Sequence, residues 1–169
     1  MTPLRATLGA MALLLAAFPA GAAARQADAI THSKRLWATV NVCDTVGHPD
    51  SIGIRGSMPG DGVKTEVMFM RFQVQLFDSD EQRWHALDGA DSGRVEIGSA
   101  RKLRQSGNTF TITPPRPGAE PYLLRGLVTF EWREDGTLVR RVRRATTAAH
   151  SNTAGADPAG FSAATCTIT

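Results

Sequence analysis

The chain is short of the residues and patterns that announce a catalytic or membrane protein. It has two cysteines, four histidines and one tyrosine in 169 residues. Cys43 and Cys166 form no Cys-x-x-Cys spacing, so nothing local lowers a thiol pKa and thiol catalysis is not expected. Among His32, His48, His85 and His150 no pair sits two to five residues apart, as metal-ligand clusters tend to do, so neither a metal nor a cofactor is expected. Gly-x-Ser-x-Gly is absent. The nearest stretch, "RGSMPGDG", sets Ser57 near glycines but no helical stripe follows it, which suits a turn-rich loop between strands better than a nucleophile on a sharp turn. A hydrolase would have to assemble dispersed residues, such as Ser57, His85 and Asp91. No catalytic residue is assigned, and a non-enzymatic protein is the expectation. One-sided charge is missing as well: the net charge is +3, which argues neither for nor against a nucleic acid partner.

What is present begins with a leader. Arg5 precedes the apolar run "LGAMALLLAAF", which is too short to span a bilayer, and Ala22 to Ala24 offer small residues for cleavage. Residues 1–24 therefore read as a signal peptide, with cleavage after Ala29 as the alternative. No later run approaches the about 18 apolar residues of a transmembrane helix. No cysteine sits at the cleavage site, and the C-terminus has no hydrophobic tail or wall-sorting pattern. The expectation is a secreted, extracellular protein with an N-terminal tail at 25–34 and one domain at 35–169. A domain of that length buries about 68–70% of its unfolded surface.

Export implies an oxidising compartment, where a lone pair of cysteines joins. A Cys43–Cys166 bridge closes nearly the whole domain into one loop. On the chain-entropy model that stabilises by about 5 kcal/mol before strain. It also explains a cysteine so near the C-terminus, because a last strand held at one end only frays.

Alternation with a period of two dominates the rest. In "EVMFMRFQVQLF", Met68, Met70, Phe72, Val74 and Leu76 share one face, with Arg71, Gln73 and Gln75 on the other. In "YLLRGLVTFEWR", Tyr122, Leu124, Gly126, Val128, Phe130 and Trp132 share one face. These are the expected long central strands. "RLWATVNVC" puts Leu36, Ala38, Val40 and Val42 together, and Cys43 then needs a bulge or a strand end to reach the same side. "SIGIRG", "RVEIGSA" and the last strand "AATCTIT" are shorter. "SARKLRQ" and "NTFTIT" read as a hairpin about Ser106-Gly107, and "TLVRRVRRAT" as the return strand after Asp135-Gly136. About eight strands, turns such as "DGADSG", and no helical stripe predict an all-β, two-sheet antiparallel sandwich. "TAAHSNTAGADPAGFSAA" reads as an ordered loop before the last strand.

Three features carry candidate binding chemistry. "RRVRR" supplies Arg140, Arg141, Arg143 and Arg144, which suit an anionic partner or a charge-protected strand edge. No aromatics interleave with them, so a single-stranded nucleic acid is not the expected partner; a cell-envelope polymer or another protein is. Trp84, in the polar stretch "EQRWHAL", is the tryptophan expected to be exposed and able to hold a sugar ring, whereas Trp37 and Trp132 are expected in the core. "DSDEQRW" groups Asp78, Asp80 and Glu81, but their spacing breaks the register of a calcium loop.

The strand count, the long central pair and the first-to-last cysteines resemble an immunoglobulin-like or fibronectin-III-like sandwich over roughly residues 33–169. No tyrosine precedes Cys166 by two residues as in immunoglobulin domains. "RGSMPGDG", "MFMRFQ" and "RGLVTFEWR" are also similar to stretches of small secreted proteins of high-GC bacteria, a resemblance that implies no activity. The functional expectation is a secreted binding or surface-interaction module. The alternatives are a carbohydrate-binding module using Trp84 and a secreted hydrolase.

Overall fold

A computed structural model describes residues 29–169; the expected signal peptide, residues 1–24, lies outside the described residues. Among the described residues there are nine strands: β1 (Trp37–Thr45), β2 (His48–Met58), β3 (Glu66–Asp78), β4 (Arg83–Asp91), β5 (Val95–Ser99), β6 (Arg104–Thr111), β7 (Tyr122–Glu134), β8 (Thr137–Ala145) and β9 (Cys166–Ile168). They form two antiparallel sheets. One has the order β1-β2-β6. The other has the order β4-β3-β7-β8, with β5 also on β3 and β9 also on β7.

The alternating apolar rows meet between the sheets. Met68, Met70, Phe72 and Val74 of β3 and Leu124, Val128, Phe130 and Trp132 of β7 are buried. They pack against Val40, Ile52, Ile54 and Met58 of the smaller sheet. β3 and β7 run side by side from Glu66↔Glu134 to Leu76↔Leu124, so two amphipathic strands of equal length present one continuous apolar surface. Ile30, inside the expected tail, also joins the core.

The disulfide links the sheets. Cys43 on β1 bonds Cys166 on β9 across 123 residues, with 5.4 Å between the Cα atoms. The bulge that this requires is present: pairing with β2 shifts between Val40 and Val42. The extra residue, Asn41, reverses the alternation, so Cys43 packs on the core while Val42, expected there, lies outside the core cluster. Val42 is nevertheless buried, because residue 157 pairs with it from the long loop before β9.

That loop covers the smaller sheet. Val40 and Ala163 exchange backbone hydrogen bonds of 2.9 and 3.0 Å, and the Thr147 amide donates to Ala38 O at 2.8 Å. Asn41 Nδ2 donates to Gly155 O at 2.8 Å, and Gln105 Nε2, across the sheet on β6, donates to Asn152 O at 3.3 Å. The free edge of β1 is thereby occupied, which answers the exposure problem of an edge strand. Trp37, expected in the core, is on this covered side. It is half-buried and stacks on His150 at 4.5 Å, because it alternates with Leu36 and Ala38.

Two turns are corrected. Ser106-Gly107 is not a hairpin: β6 passes straight through it, with Ser106 opposite Gly56 and Gly107 opposite Arg55. Gly107 serves close approach instead of reversal, since a Cβ there would lie 2.7 Å from Ile54 O. "DGADSG" is not simply a turn either. Its first four residues belong to β4, where Gln75 pairs with Ala86 but Gln73 with Asp91, so Leu87 to Ala90 form a wide bulge. Asp135-Gly136 does turn β7 into β8, with φ of 46° and 76°, as a two-residue hairpin loop with both residues left-handed requires. Among the described residues no helix is long and apolar enough to cross a membrane.

Candidate functional site

The polar rows of β3, β7 and β8 face outward from the larger sheet, and their register assembles the candidate site. Phe69, Glu131 and Arg141 form one row across the three strands, and Arg71, Thr129 and Arg143 the next. Gln75 and Arg125 stand opposite each other further along. Arg94, just before β5, reaches over Phe69, with its guanidinium carbon 5.2 Å from the ring centroid. The face thus carries Arg71, Arg94, Arg125, Arg133, Arg141 and Arg143 against Asp91, Glu96 and Glu131.

Glu131 is the hub. Its residue is 8% exposed. Arg133 Nε donates to Oε2 at 2.7 Å and Arg141 Nε donates to Oε1 at 2.9 Å. Burial works against its charge, but these two donors hold the carboxyl below its ordinary value. Arg71 forms a two-nitrogen clasp on Asp91, with Nε 2.8 Å from Oδ1, and Gln73 Nε2 adds a third donor at 3.1 Å. Asp91 is lowered chiefly by the Arg71 hydrogen bond, against burial. The guanidinium planes are therefore oriented before any ligand arrives. Arg71, Arg94, Arg133 and Arg141 surround a depression of about 260 Å³ floored by Phe69, Thr129 and Glu131.

The four arginines of "RRVRR" divide between two sides of β8. Arg141 and Arg143 belong to the outer face. Arg140 turns inward: Nη1 lies 3.5 Å from Asp61 Oδ2, and the guanidinium sits 5.1 Å from the Trp132 ring. Arg144 Nη2 donates to Thr31 O at 2.6 Å, tying the N-terminal segment to the sheet. Period-two alternation makes this division inevitable once Val142 faces the core. The outer arginines on β3, β7 and before β5 were missed from sequence. Alternation places Arg71 and Arg133 on wet faces, but cross-strand register has no local signature.

Trp84 sits at the edge of the same sheet. It is half-buried, packs on Phe77 at 5.1 Å and takes the Arg125 guanidinium over its ring at 4.3 Å. Arg125 also donates to Gln75 Oε1 at 2.8 Å. So aromatics do stand beside the arginines, supplied by neighbouring strands.

Other candidates lie apart. Ser57 is 1% exposed on β2, His85 is exposed on β4, and Asp91 is clasped by Arg71; no hydrogen bond links them. Asp78, Glu81 and His85 hold their potential ligand atoms within 4.8 Å of one another. Asp78 Oδ1 there accepts the Asp80 and Glu81 amides at 2.9 and 2.8 Å. Glu81 is engaged by Arg83 and His85, both at 2.9 Å. The hairpin after β3 thus brings His85 to the acidic pair, a meeting invisible without the Leu76↔His85 register.

These features define a two-sheet, disulfide-linked β-sandwich with a basic, aromatic-studded sheet face. No protein-family model matches the chain, and no curated protein matches it significantly.

Proposed function

We propose that the protein is a secreted, non-enzymatic binding module of immunoglobulin-like type, which presents the outer face of its larger sheet to an anionic cell-envelope polymer. The observation that carries this reading is the convergence of Arg71, Arg94, Arg133 and Arg141 on one strand-borne depression. Regular sheet holds the donors rigidly, so little ordering cost accompanies binding. Arg94 stacks on Phe69, and among the described residues no carboxylate pairs with it or with Arg143, so both are available to a ligand. A repeating polyanion would satisfy several such groups at once. The burial of Ser57 and the full engagement of Asp91 support a non-catalytic role.

The test uses polygalacturonate and neutral dextran immobilised as affinity matrices. Retention on the acidic matrix alone is expected, declining as salt rises. The Arg94→Glu/Arg143→Glu variant, whose side chains are exposed, is expected to bind at least ten-fold more weakly. Unchanged retention of that variant overturns the reading. A second outcome discriminates the sugar-binding alternative: retention on dextran that Trp84→Ala removes assigns the face to neutral sugars.

A further inference from the structure

On the side of the sandwich away from the disulfide, β5 comes up to the start of β6 at Gly98 and Arg104, and the gap between the sheets lies beyond that point. β4 ends one sheet and β6 ends the other, and among the described residues no strand pairs with the remaining edge of either. Between these edges runs a trough of about 650 Å³ lined by Leu76, Leu87, Phe110, Ile112 and Tyr122. The wide bulge of β4 builds one wall: Leu87 to Ala90 lie opposite the single position between Gln75 and Gln73. Ala90 turns into the core, while Leu87 faces the trough. The other wall is the end of β6 and the residues after it. The trough continues into a hollow of about 310 Å³ that shares Leu76 and Tyr122 and is rimmed by Asp78, Asp80 and Glu120, with His85 beside them. Asp88 stands on the wall of the trough itself. The nearby cation, Arg83, is engaged by Glu81. An apolar floor, a free strand edge and an acidic end thus adjoin one another.

We propose that this trough receives an extended segment of a partner polypeptide, apolar along one face and carrying a lysine or arginine at the end that reaches the Asp78–Asp80–Glu120 rim. The free edge of β6 supplies backbone donors and acceptors at strand spacing, so an added strand pairs without distorting the fold. Alternate side chains of such a strand point to one side, onto Leu87, Phe110 and Ile112. The basic residue complements a rim with three carboxylates, and an acidic segment is repelled there. A second copy of β6 fits less well, because its exposed positions are Gly107, Thr109 and Thr111, which offer little apolar surface to the floor. This site is separate from the arginine face and its failure leaves that reading untouched.

The probe is a capped synthetic peptide, Lys-Val-Thr-Ile-Thr-Val, compared with its counterpart beginning with glutamate. Calorimetric titration is expected to show the lysine peptide binding at least ten-fold more tightly, and amide exchange is expected to slow along β6. Leu87→Arg is expected to abolish binding. Asp80→Lys/Glu120→Lys, confined to exposed rim positions, is expected to fold normally and to reverse the preference toward the glutamate peptide. The proposal is overturned if neither peptide binds, if binding leaves β6 exchange unchanged, or if the rim variant still prefers lysine. It is equally overturned if the protein alone sediments as a dimer with β6 amides protected, since a second copy then occupies the edge.

Discussion

Gly126 lies in the inward row of β7, between Leu124 and Val128, at a point where the chain can hold no side chain. A Cβ there would stand 2.7 Å from Thr146 Cγ2 and 2.8 Å from Ile54 Cγ2. Thr146 also accepts the Gly126 amide on its Oγ1 at 3.0 Å and donates its own amide to Gly126 O at 2.9 Å. The neighbour is pinned and cannot move aside. Gly126→Ala is expected to cost about 1–3 kcal/mol through overpacking, seen as a lower urea midpoint with an unchanged slope. Alternation alone assigns Gly126 to the buried side, yet the reason for glycine rests on Ile54 and Thr146, both distant in sequence. Glu131 teaches the same lesson. Period two puts it on the polar face with Arg133, but its second partner, Arg141, becomes visible only when β8 is laid beside β7.

Among the elements, β9 is the most dependent on outside support. It has three residues and pairs with Tyr122 to Leu124 at the very start of β7, too few ladder bonds to hold a terminus. Cys166 and Ile168 are buried, and the bond to Cys43 anchors them to the opposite sheet. Replacing both cysteines with alanine is expected to lower stability by about 2–4 kcal/mol. Amide exchange should rise first at residues 166–168 and at Tyr122 to Leu124, while the β3–β7 ladder stays protected; uniform acceleration of all strands would contradict this account. The long strands β3 and β7 were legible because an inward row at every second residue, Met68 to Leu76 in one and Tyr122 to Trp132 in the other, runs nearly the whole strand. β6 was not, because Ser106-Gly107 carries the local chemistry of a turn, and only the approach of Gly107 to Ile54 O reveals a straight strand. The bulge at Asn41 was half legible: Cys43 on the wrong face demanded one, but its position came from the pairing with β2.

The molecule as a whole has two charge systems that respond to pH in opposite directions. Asp91 and Glu131, held below the ordinary range by arginine donors, contribute stability that is present above the unfolded carboxylate values and is lost as the pH falls through their folded ones. Asp157, lowered by Thr45 and then His48 where the covering loop meets the smaller sheet, acts in the same sense. Glu66 does the reverse. It is 6% exposed, and among the described residues its Oε2 finds no partner. Burial, and then the hydrogen bond and charge of Asp61, raise its pKa from 4.5 to about 7, with Arg140 opposing and Glu134 adding to the rise. The folded state therefore holds this proton more tightly than the unfolded one. Its contribution is complete below pH 4.5, fades as the pH rises toward 7, and is gone above that. Glu66 thus pulls stability down between pH 4.5 and about 7, while the lowered carboxylates Asp91, Glu131 and Asp157 pull it down in acid. Glu66→Gln keeps the shape and a donor for Asp61 while removing the buried charge. It is expected to leave stability at pH 5 nearly unchanged and to raise it at pH 8 by about 1–3 kcal/mol. Urea titrations of both proteins at the two pH values check this: a Glu66→Gln gain no larger at pH 8 than at pH 5 would show that Glu66 does not titrate as its burial beside Asp61 requires.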